Sequence, residues 1–212
     1  MLWYTPKEVT SSDGSTKTMY DMWIGGENGV LQTGTNASGM FAYLTNIEKL
    51  DLSKLDTSYI TNMSRMFYMS SGLKTIDLSN FDTSNVTTMG NMFDGCSSLT
   101  NLDLVNFDTS KVTSFSNMFQ NCTNLKTLNI SSFKTPALLY IAGMFNGCKS
   151  LIKLDLSNFD TSKVSNFSNL FQNCNSLEYL DLTSFNTSKG TQMVNMSVSY
   201  THLRAHETLR HL

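Results

Sequence analysis

The chain has 212 residues, of which 15% are charged and 40% are hydrophobic, and its formal net charge is −2. This balance excludes the basic surface that nucleic-acid binding needs, and the hydrophobic content excludes a wholly disordered chain. No stretch approaches the ~20 consecutive apolar residues of a membrane-spanning helix. The length allows one large domain or two small ones.

The first 23 residues precede the repetitive part of the chain. They contain no basic segment followed by an apolar run, so no signal peptide is present as written. We expect residues 1–23 to form a cap on the repeats or the end of a preceding domain. The glycines that follow, Gly25, Gly26 and Gly29, lack the Gly-Lys-Ser/Thr ending of a phosphate loop and therefore predict a turn.

A 26-residue repeat dominates the rest of the chain. Six copies begin at equivalent apolar positions spaced 26 apart: Leu50, Ile76, Leu102, Leu128, Leu154 and Leu180. A period of ~20–50 residues indicates units that bury their apolar faces against their neighbours. We predict one array over residues 24–196, with a degenerate first coil, a truncated last coil and no single deep cleft. A coil here means one repeat.

The coil from Leu99 to Asn124 illustrates the predicted secondary structure. Leu102 and Leu104 alternate with Asp103, which predicts a short strand. Thr109 then offers a helix N-cap. Apolar residues follow at steps that place them on one face of a short helix: Val112, Phe115, Met118, Phe119 and Cys122. The predicted fold class is α/β, with short parallel strands on one face and short helices on the other.

The spacing L-x-x-L-x-L resembles that of a leucine-rich repeat. The unit DLSNFDTSNVTTMGNMFDGCSSL more closely resembles the 26-residue repeat of the BspA-like group of bacterial surface proteins, over about residues 38–196. The resemblance implies a right-handed leucine-rich-repeat solenoid in which stacked aromatic rings replace the usual buried asparagines, at Phe81, Phe107, Phe133, Phe159 and Phe185. It also implies a cell-surface or secreted protein, whose leader and anchor lie outside this sequence.

Residues 197–212 depart from the repeat. Ser197 stands where the pattern requires Phe, and the following VSYTHLRAHET resembles one reading frame of a sequencing adaptor, so we expect a non-native tail. The chain's three histidines all lie in it, at His202, His206 and His211. The remaining residues therefore cannot supply a Ser-His-Asp or Cys-His set. We expect no enzyme, no catalytic residues and no cofactor.

Four cysteines recur with the same 26-residue spacing, at Cys96, Cys122, Cys148 and Cys174. Each ends the apolar face of its coil, where a small buried side chain suits the core, so this position favours reduced thiols. Equivalent residues stacked ~4.8 Å apart would also lie within disulfide reach. Zinc is a third alternative, although a line of thiols without a CxxC pair fits a tetrahedron poorly, and we predict no metal site.

Two polar rows follow from the repeat. One lies at the predicted helix entrance and is expected to cap it: Asp56, Asp82, Asp108 and Asp160. The other points outward from the strands and is the candidate binding surface, which we call the strand face: Asp51, Asp77, Asp103, Asn129, Asp155 and Asp181, with Lys153 and Tyr179 beside them. Like charges ~5 Å apart repel, so this row is tolerated in water, bridged by calcium or offset by a partner.

The sequence thus predicts a non-catalytic surface module that binds or adheres through the strand face. The resemblance implies, as partner, a protein or surface glycoconjugate of a host or of a neighbouring microbe. The alternative hypothesis is a passive structural stalk that presents another domain. Neither hypothesis involves nucleic acid or a membrane span within this segment.

Overall fold

The computed structural model describes residues 2–10, 12–24 and 31–196. Gly25, Gly26 and Gly29 and the predicted tail at 197–212 lie outside the described residues, so the predictions on them stay predictions. Ten strands occur in the described part: β1 (Leu2–Thr10), β2 (Thr16–Ile24), β3 (Leu31–Gln32), β4 (Ile47–Asp51), β5 (Leu55–Asp56), β6 (Thr75–Ile76), β7 (Asn101–Asp103), β8 (Thr127–Asn129), β9 (Lys153–Asp155) and β10 (Tyr179–Asp181). Turns connect most of them.

An N-terminal hairpin extends the sheet of the first coils. Strands β1 and β2 pair antiparallel, and β2 pairs parallel with β4, which gives a four-stranded sheet in the order β1-β2-β4-β6. The buried carboxylate of Glu48 lies between the ammonium groups of Lys7 and Lys74, and its distance to Lys74 is 2.5 Å. Backbone and ionic contacts thus join the hairpin to the repeats, while its role as a cap stays a prediction.

Successive coils pair in parallel at the repeat spacing, as the sequence predicts. Equivalent strands pair residue for residue in three places: β4 with β6, β7 with β8, and β9 with β10. A second column of parallel bridges joins the positions Asn36, Asn62, Thr88, Ser114 and Tyr140. Each coil is therefore held to the next along more than one line.

The predicted helices are absent from the described residues, so the prediction of an α/β leucine-rich-repeat solenoid is wrong. In the segment expected to be helical, every second N–H donates across to the next coil: Phe115 to Tyr140 (2.9 Å), Asn117 to Ala142 (2.9 Å), Phe119 to Met144 (2.9 Å) and Asn121 to Asn146 (2.7 Å). The residues between close short turns, for example the N–H of Gln120 to the carbonyl of Asn117 at 3.1 Å. Inter-coil bonds therefore take the donors that an α-helix would use along its own axis.

Left-handed backbone residues explain why no helix forms there. Asn117 and Asn121 have φ values of 55° and 57°, and a residue in this region ends a right-handed helix. The same two positions are left-handed in the other coils, as one row at Gly39, Arg65, Asn91, Asn117, Gly143, Asn169 and Asn195, and a second row at Tyr43, Met69, Gly95, Asn121, Gly147 and Asn173. Most of these residues are Asn or Gly, which tolerate this conformation best.

Aromatic columns fill the core. The longest joins six phenylalanines with ring centroids 5.3 to 5.9 Å apart and planes within 16° of parallel: Phe41, Phe67, Phe93, Phe119, Phe145 and Phe171. The column predicted from the resemblance is partly continuous, since Phe81 stacks on Phe107 at 6.4 Å and Phe133 on Phe159 at 6.2 Å. Phe185 instead packs at a tilt against Phe167.

Candidate functional site

The strand face is exposed along the stack. Leu50, Leu102 and Leu154 point inward and are buried, so their neighbours point to solvent. Exposed members of the row are Asp51, Asp77, Asp103, Asn129 and Asp155, with Lys153 and Tyr179 beside them, whereas Asp181 is half-buried. The structure thus places these residues on one face, in the order that the sequence predicts.

Each aspartate of this row closes a turn within its own coil. The Oδ1 atom accepts the backbone N–H two residues further on, at 2.8 Å in Asp51, 2.9 Å in Asp77 and 3.0 Å in Asp155. This geometry is an Asx turn. The N–H of Ser79 holds the pKa of Asp77 below its ordinary value, because it stabilises the carboxylate. The row therefore has a structural role that the sequence analysis missed.

Asn129 changes the row in the middle of the stack. Its Nδ2 donates to Oδ1 of Asp103 in the preceding coil at 2.9 Å, while its own Oδ1 accepts from the hydroxyl of Ser131, also at 2.9 Å. One amide thus bridges two coils where two aspartates would repel each other.

The last described coils carry a mixed cluster on the strand face. The ammonium of Lys153 lies 4.8 Å from the ring centre of Tyr179, and the hydroxyl of Tyr179 donates to Oδ2 of Asp181 at 3.2 Å. Burial and the hydrogen bond to Asp181 both raise the pKa of Tyr179. A cation, an aromatic ring and a carboxylate are therefore held together at this end.

Two open grooves run along the strand face. The first, of about 690 Å³, lies at the N-terminal end and has an acidic lining: Asp21, Asp51 and Asp77, with Lys49, Leu50 and Ile76 among its other residues. The second groove, of about 460 Å³, is more apolar, and its lining includes two lysines. It is lined by Lys126 and Lys153 together with Leu128, Ile130, Ile152 and Asp155. The two ends of the strand face thus offer different chemistry.

The second acidic row does not cap helices, since none forms in the described residues. Its carboxylates accept N–H groups in turns, as Asp108 does from Ser110 at 2.9 Å. Beside it lies a row of buried threonines, one of which, Thr109, was predicted to cap a helix: Thr57, Thr83, Thr109, Thr135 and Thr161. Each hydroxyl donates to a backbone carbonyl of the next coil at 2.8 to 3.2 Å. The triplets LDT, FDT and FKT, which recur every 26 residues, were the available signal.

The four cysteines are free and buried. Each thiol donates to a phenylalanine carbonyl of the preceding coil at 3.0 to 3.1 Å: Cys96 to Phe67, Cys122 to Phe93, Cys148 to Phe119 and Cys174 to Phe145. Ser70 fills the same place one coil earlier and donates to Phe41 at 2.6 Å. Burial raises the pKa of Cys174 to about 12 and that of Cys122 well above its ordinary value. The reduced state that the packing position favours is the state seen in the structure.

Metal binding finds no support in this geometry. Within residues 2–10, 12–24 and 31–196, no group of His, Cys, Asp or Glu side chains is arranged to hold a metal ion. One carboxylate is nevertheless unusual: Asp94 is only 4% exposed, and its Oδ1 has no hydrogen-bond partner among the described residues. Burial raises the pKa of Asp94 to about 6, and the neighbouring Asn121 and Gln120 side chains offset only part of this rise.

No helix in the described part of the chain is long and apolar enough to cross a membrane.

No curated protein and no solved structure matches the chain. One family model does, in two overlapping segments at residues 35–150 and 100–207, the second of which reaches into the predicted tail. Together the two matches span most of the sequence and coincide with the stacked coils. The chain therefore belongs to the family described as Mycoplasma protein of unknown function, DUF285.

Proposed function

We propose that this chain is a non-catalytic recognition module of a bacterial surface or secreted protein, of the BspA-like kind, which adheres to a protein or glycoconjugate through the strand face. The family match supports a bacterial repeat protein. The observation that carries the proposal is the regular exposure of polar side chains over two grooves of different charge. Surfaces of stacked repeats bind extended partners in this way.

The acidic groove supports the electrostatic part of the proposal. In Asp51 and Asp77 the turn engages Oδ1, which leaves Oδ2 available to a cationic group of a partner. The cluster of Lys153 and Tyr179 supplies an aromatic ring and a cation at the other end. Aromatic and charged groups held in fixed positions favour specific over nonspecific binding.

A passive stalk is the second candidate, and one observation favours it. The Asx turns explain the aspartate row without any ligand, since each carboxylate closes a turn. A stalk needs only the stacking, whereas a recognition module needs the charge of the row. The two candidates can therefore be separated by removing the charge and keeping the turns.

The test is the triple variant Asp51→Asn, Asp77→Asn and Asp155→Asn. Asn129 forms the same turn in the native chain, so the amide preserves the fold. Binding of both proteins to plates coated with mucin, extracellular-matrix proteins or whole bacterial cells is then compared at low and high salt. We expect binding to fall at least tenfold at low salt.

The matched control changes three aspartates of the other acidic row, Asp56→Asn, Asp82→Asn and Asp160→Asn. These substitutions remove the same charge while leaving the strand face intact, so binding should persist. Equal binding by the native protein and the strand-face variant at every salt concentration would favour the stalk.

A further inference from the structure

The left-handed rows contain three residues that do not suit them. Asn or Gly fills the other described positions of the two rows, but Tyr43, Arg65 and Met69 occupy theirs at φ values of 62°, 58° and 54°. Side chains with a Cβ are strained in this conformation. Left-handed backbone at residues other than glycine persists only where the surrounding structure imposes it, and such outliers cluster at functional sites.

These three residues lie together with Tyr68 on one surface, which we call the tyrosine–arginine patch. The rings of Tyr43 and Tyr68 are 5.6 Å apart at 89°, and the guanidinium of Arg65 lies 5.8 Å from the ring centre of Tyr68. Tyr43 is 67% exposed and Met69 is 38% exposed. The patch belongs to the turn segments of its coils and is separate in sequence from the strand face.

The neighbouring coil makes room for the patch. Gly95 follows Met69 in the same left-handed row, and a side chain at Gly95 would overlap the sulfur of Met69. Met69 thus lies over a glycine that leaves it space. Gly143 and Gly147 leave the same space beside Asn117 and Asn121, so the arrangement recurs along both rows, and at Met69 a longer apolar side chain fills it.

The chemistry of the patch fits a protein partner better than a sugar. Tyrosine, arginine and methionine are the residues enriched at the centres of protein interfaces, and methionine adapts to irregular apolar surfaces. A sugar ring needs a flat aromatic platform, whereas the two tyrosine rings stand perpendicular to each other. Arg65 forms no salt bridge in the described part of the chain, although its charge favours the ionised form of the buried Asp94.

We propose that the tyrosine–arginine patch docks a segment of another protein that inserts an apolar side chain between Tyr43 and Met69 and pairs a carboxylate with Arg65. The site is independent of the strand face, so the chain carries two interaction surfaces on different segments of each coil. The patch supplies the cation and the apolar contact, and the partner supplies the complementary charge.

The test replaces the three strained residues by the one that the rows prefer: Tyr43→Asn, Arg65→Asn and Met69→Asn. Short random peptides displayed on phage are selected on the native protein, and the affinity of the enriched peptides is measured by fluorescence polarisation. We expect enriched peptides to combine an apolar residue with Asp or Glu and to bind the triple variant at least tenfold more weakly. The variant should melt at the same temperature as the native protein or higher, because the strain is relieved.

The control removes exposed apolar surface elsewhere, with Leu139→Asn and Tyr140→Asn, which are 39% and 58% exposed in the native protein. Peptide affinity should be unchanged in this variant. The docking site is contradicted if no peptide family is enriched, if the triple variant binds equally well, or if the patch retains glycans and not peptides. A triple variant that melts at a lower temperature contradicts the strain argument.

Discussion

The hydroxyl of Thr109 donates to the carbonyl of Lys134 in the next coil at 2.8 Å and accepts the N–H of the same residue at 2.9 Å. Thr135 and Thr161 repeat this two-way bond with Asp160 and Asn186. One buried side chain thus satisfies two backbone groups of a neighbour, which makes the threonine row a seam between coils.

Replacing Thr109 by Val should therefore destabilise the protein by about 1–2 kcal/mol, because two partly buried backbone groups of Lys134 lose their partner while the shape of the side chain is kept. The free energy of unfolding in urea measures the effect. Thr109→Ser retains the hydroxyl and should lose less. If the Val variant unfolds at the same urea concentration as the native protein, the seam contributes no stability.

The buried thiols should be unreactive in the folded protein. The thiolate is the reactive form, and burial raises the pKa of Cys122 and Cys148 well above its ordinary value. A chromogenic disulfide reagent at about pH 8 should label no cysteine among residues 96–174 until guanidinium unfolds the chain, after which all four should react. Rapid labelling of the native protein would contradict this.

Serine should replace cysteine at this position with little loss. Ser70 donates to Phe41 as Cys122 donates to Phe93, so Cys122→Ser keeps the inter-coil bond. Cys122→Ala removes this donor, and the carbonyl of Phe93 then keeps only the N–H of Cys96, so we expect a cost of about 0.5–1.5 kcal/mol. The order of stability from urea unfolding should be native, then Ser, then Ala. An Ala variant as stable as the Ser variant would show that the thiol acts only by filling space.

Asp94 should make the stability of the protein fall with rising pH. Its pKa is raised from 3.8 to about 6 in the folded state, so the neutral carboxyl is the better tolerated form. This contribution is fully present below the unfolded value near 3.8 and is lost as pH rises through about 6. Asp94→Asn should remove the dependence and add about 1–2 kcal/mol at neutral pH, after allowance for solvent screening.

Unfolding free energies at about pH 4 and about pH 7.5 test this prediction. Asn146 occupies the equivalent position two coils later, so Asn146→Asp is the reciprocal variant and should introduce the same dependence. Identical pH profiles for the native protein and Asp94→Asn would contradict the assignment.

Glu48 should fix the hairpin to the first coils. Lys7, and then Lys74, lower the pKa of Glu48, so its contribution is present above the ordinary value near 4.5 and is lost as pH falls through the folded value. Glu48→Gln should speed amide exchange in strand β1 and leave the middle coils, such as that of Phe119, protected. Glu178→Gln, at an exposed residue, is the control and should change neither. Faster exchange throughout the chain would show that Glu48 acts on the whole stack.

The core could be predicted from the sequence, because burial depends on the spacing of apolar residues. Leu102, Phe119 and Cys122 are buried as the pattern requires. The absence of helices could not be predicted. Apolar residues at steps of three and four suit an α-helix, and they also suit tight turns in which every second N–H donates to the next coil. Asn117 and Asn121 were the available sign of left-handed backbone, because Asn tolerates that conformation better than most residues.

The outward position of most of the aspartate row could be predicted from the sequence, whereas its turns could not. The alternation around Asp103 placed the aspartate row on the outside, as found. Its turns depend on the backbone two residues further on, which a strand pattern does not reveal. The tyrosine–arginine patch was missed altogether, because Arg65 and Tyr43 are unusual only once the backbone conformation at their positions is known.

The inter-coil bonds have a mechanical consequence, since they run along the direction in which the coils stack. Tension applied between the two ends loads these bonds one seam at a time, and each rupture frees 26 residues of slack. We expect force to extend the protein in a sawtooth of equal steps, each at most roughly 86–94 Å from the reach of an extended chain. Such a molecule would yield gradually under shear and absorb work at every step.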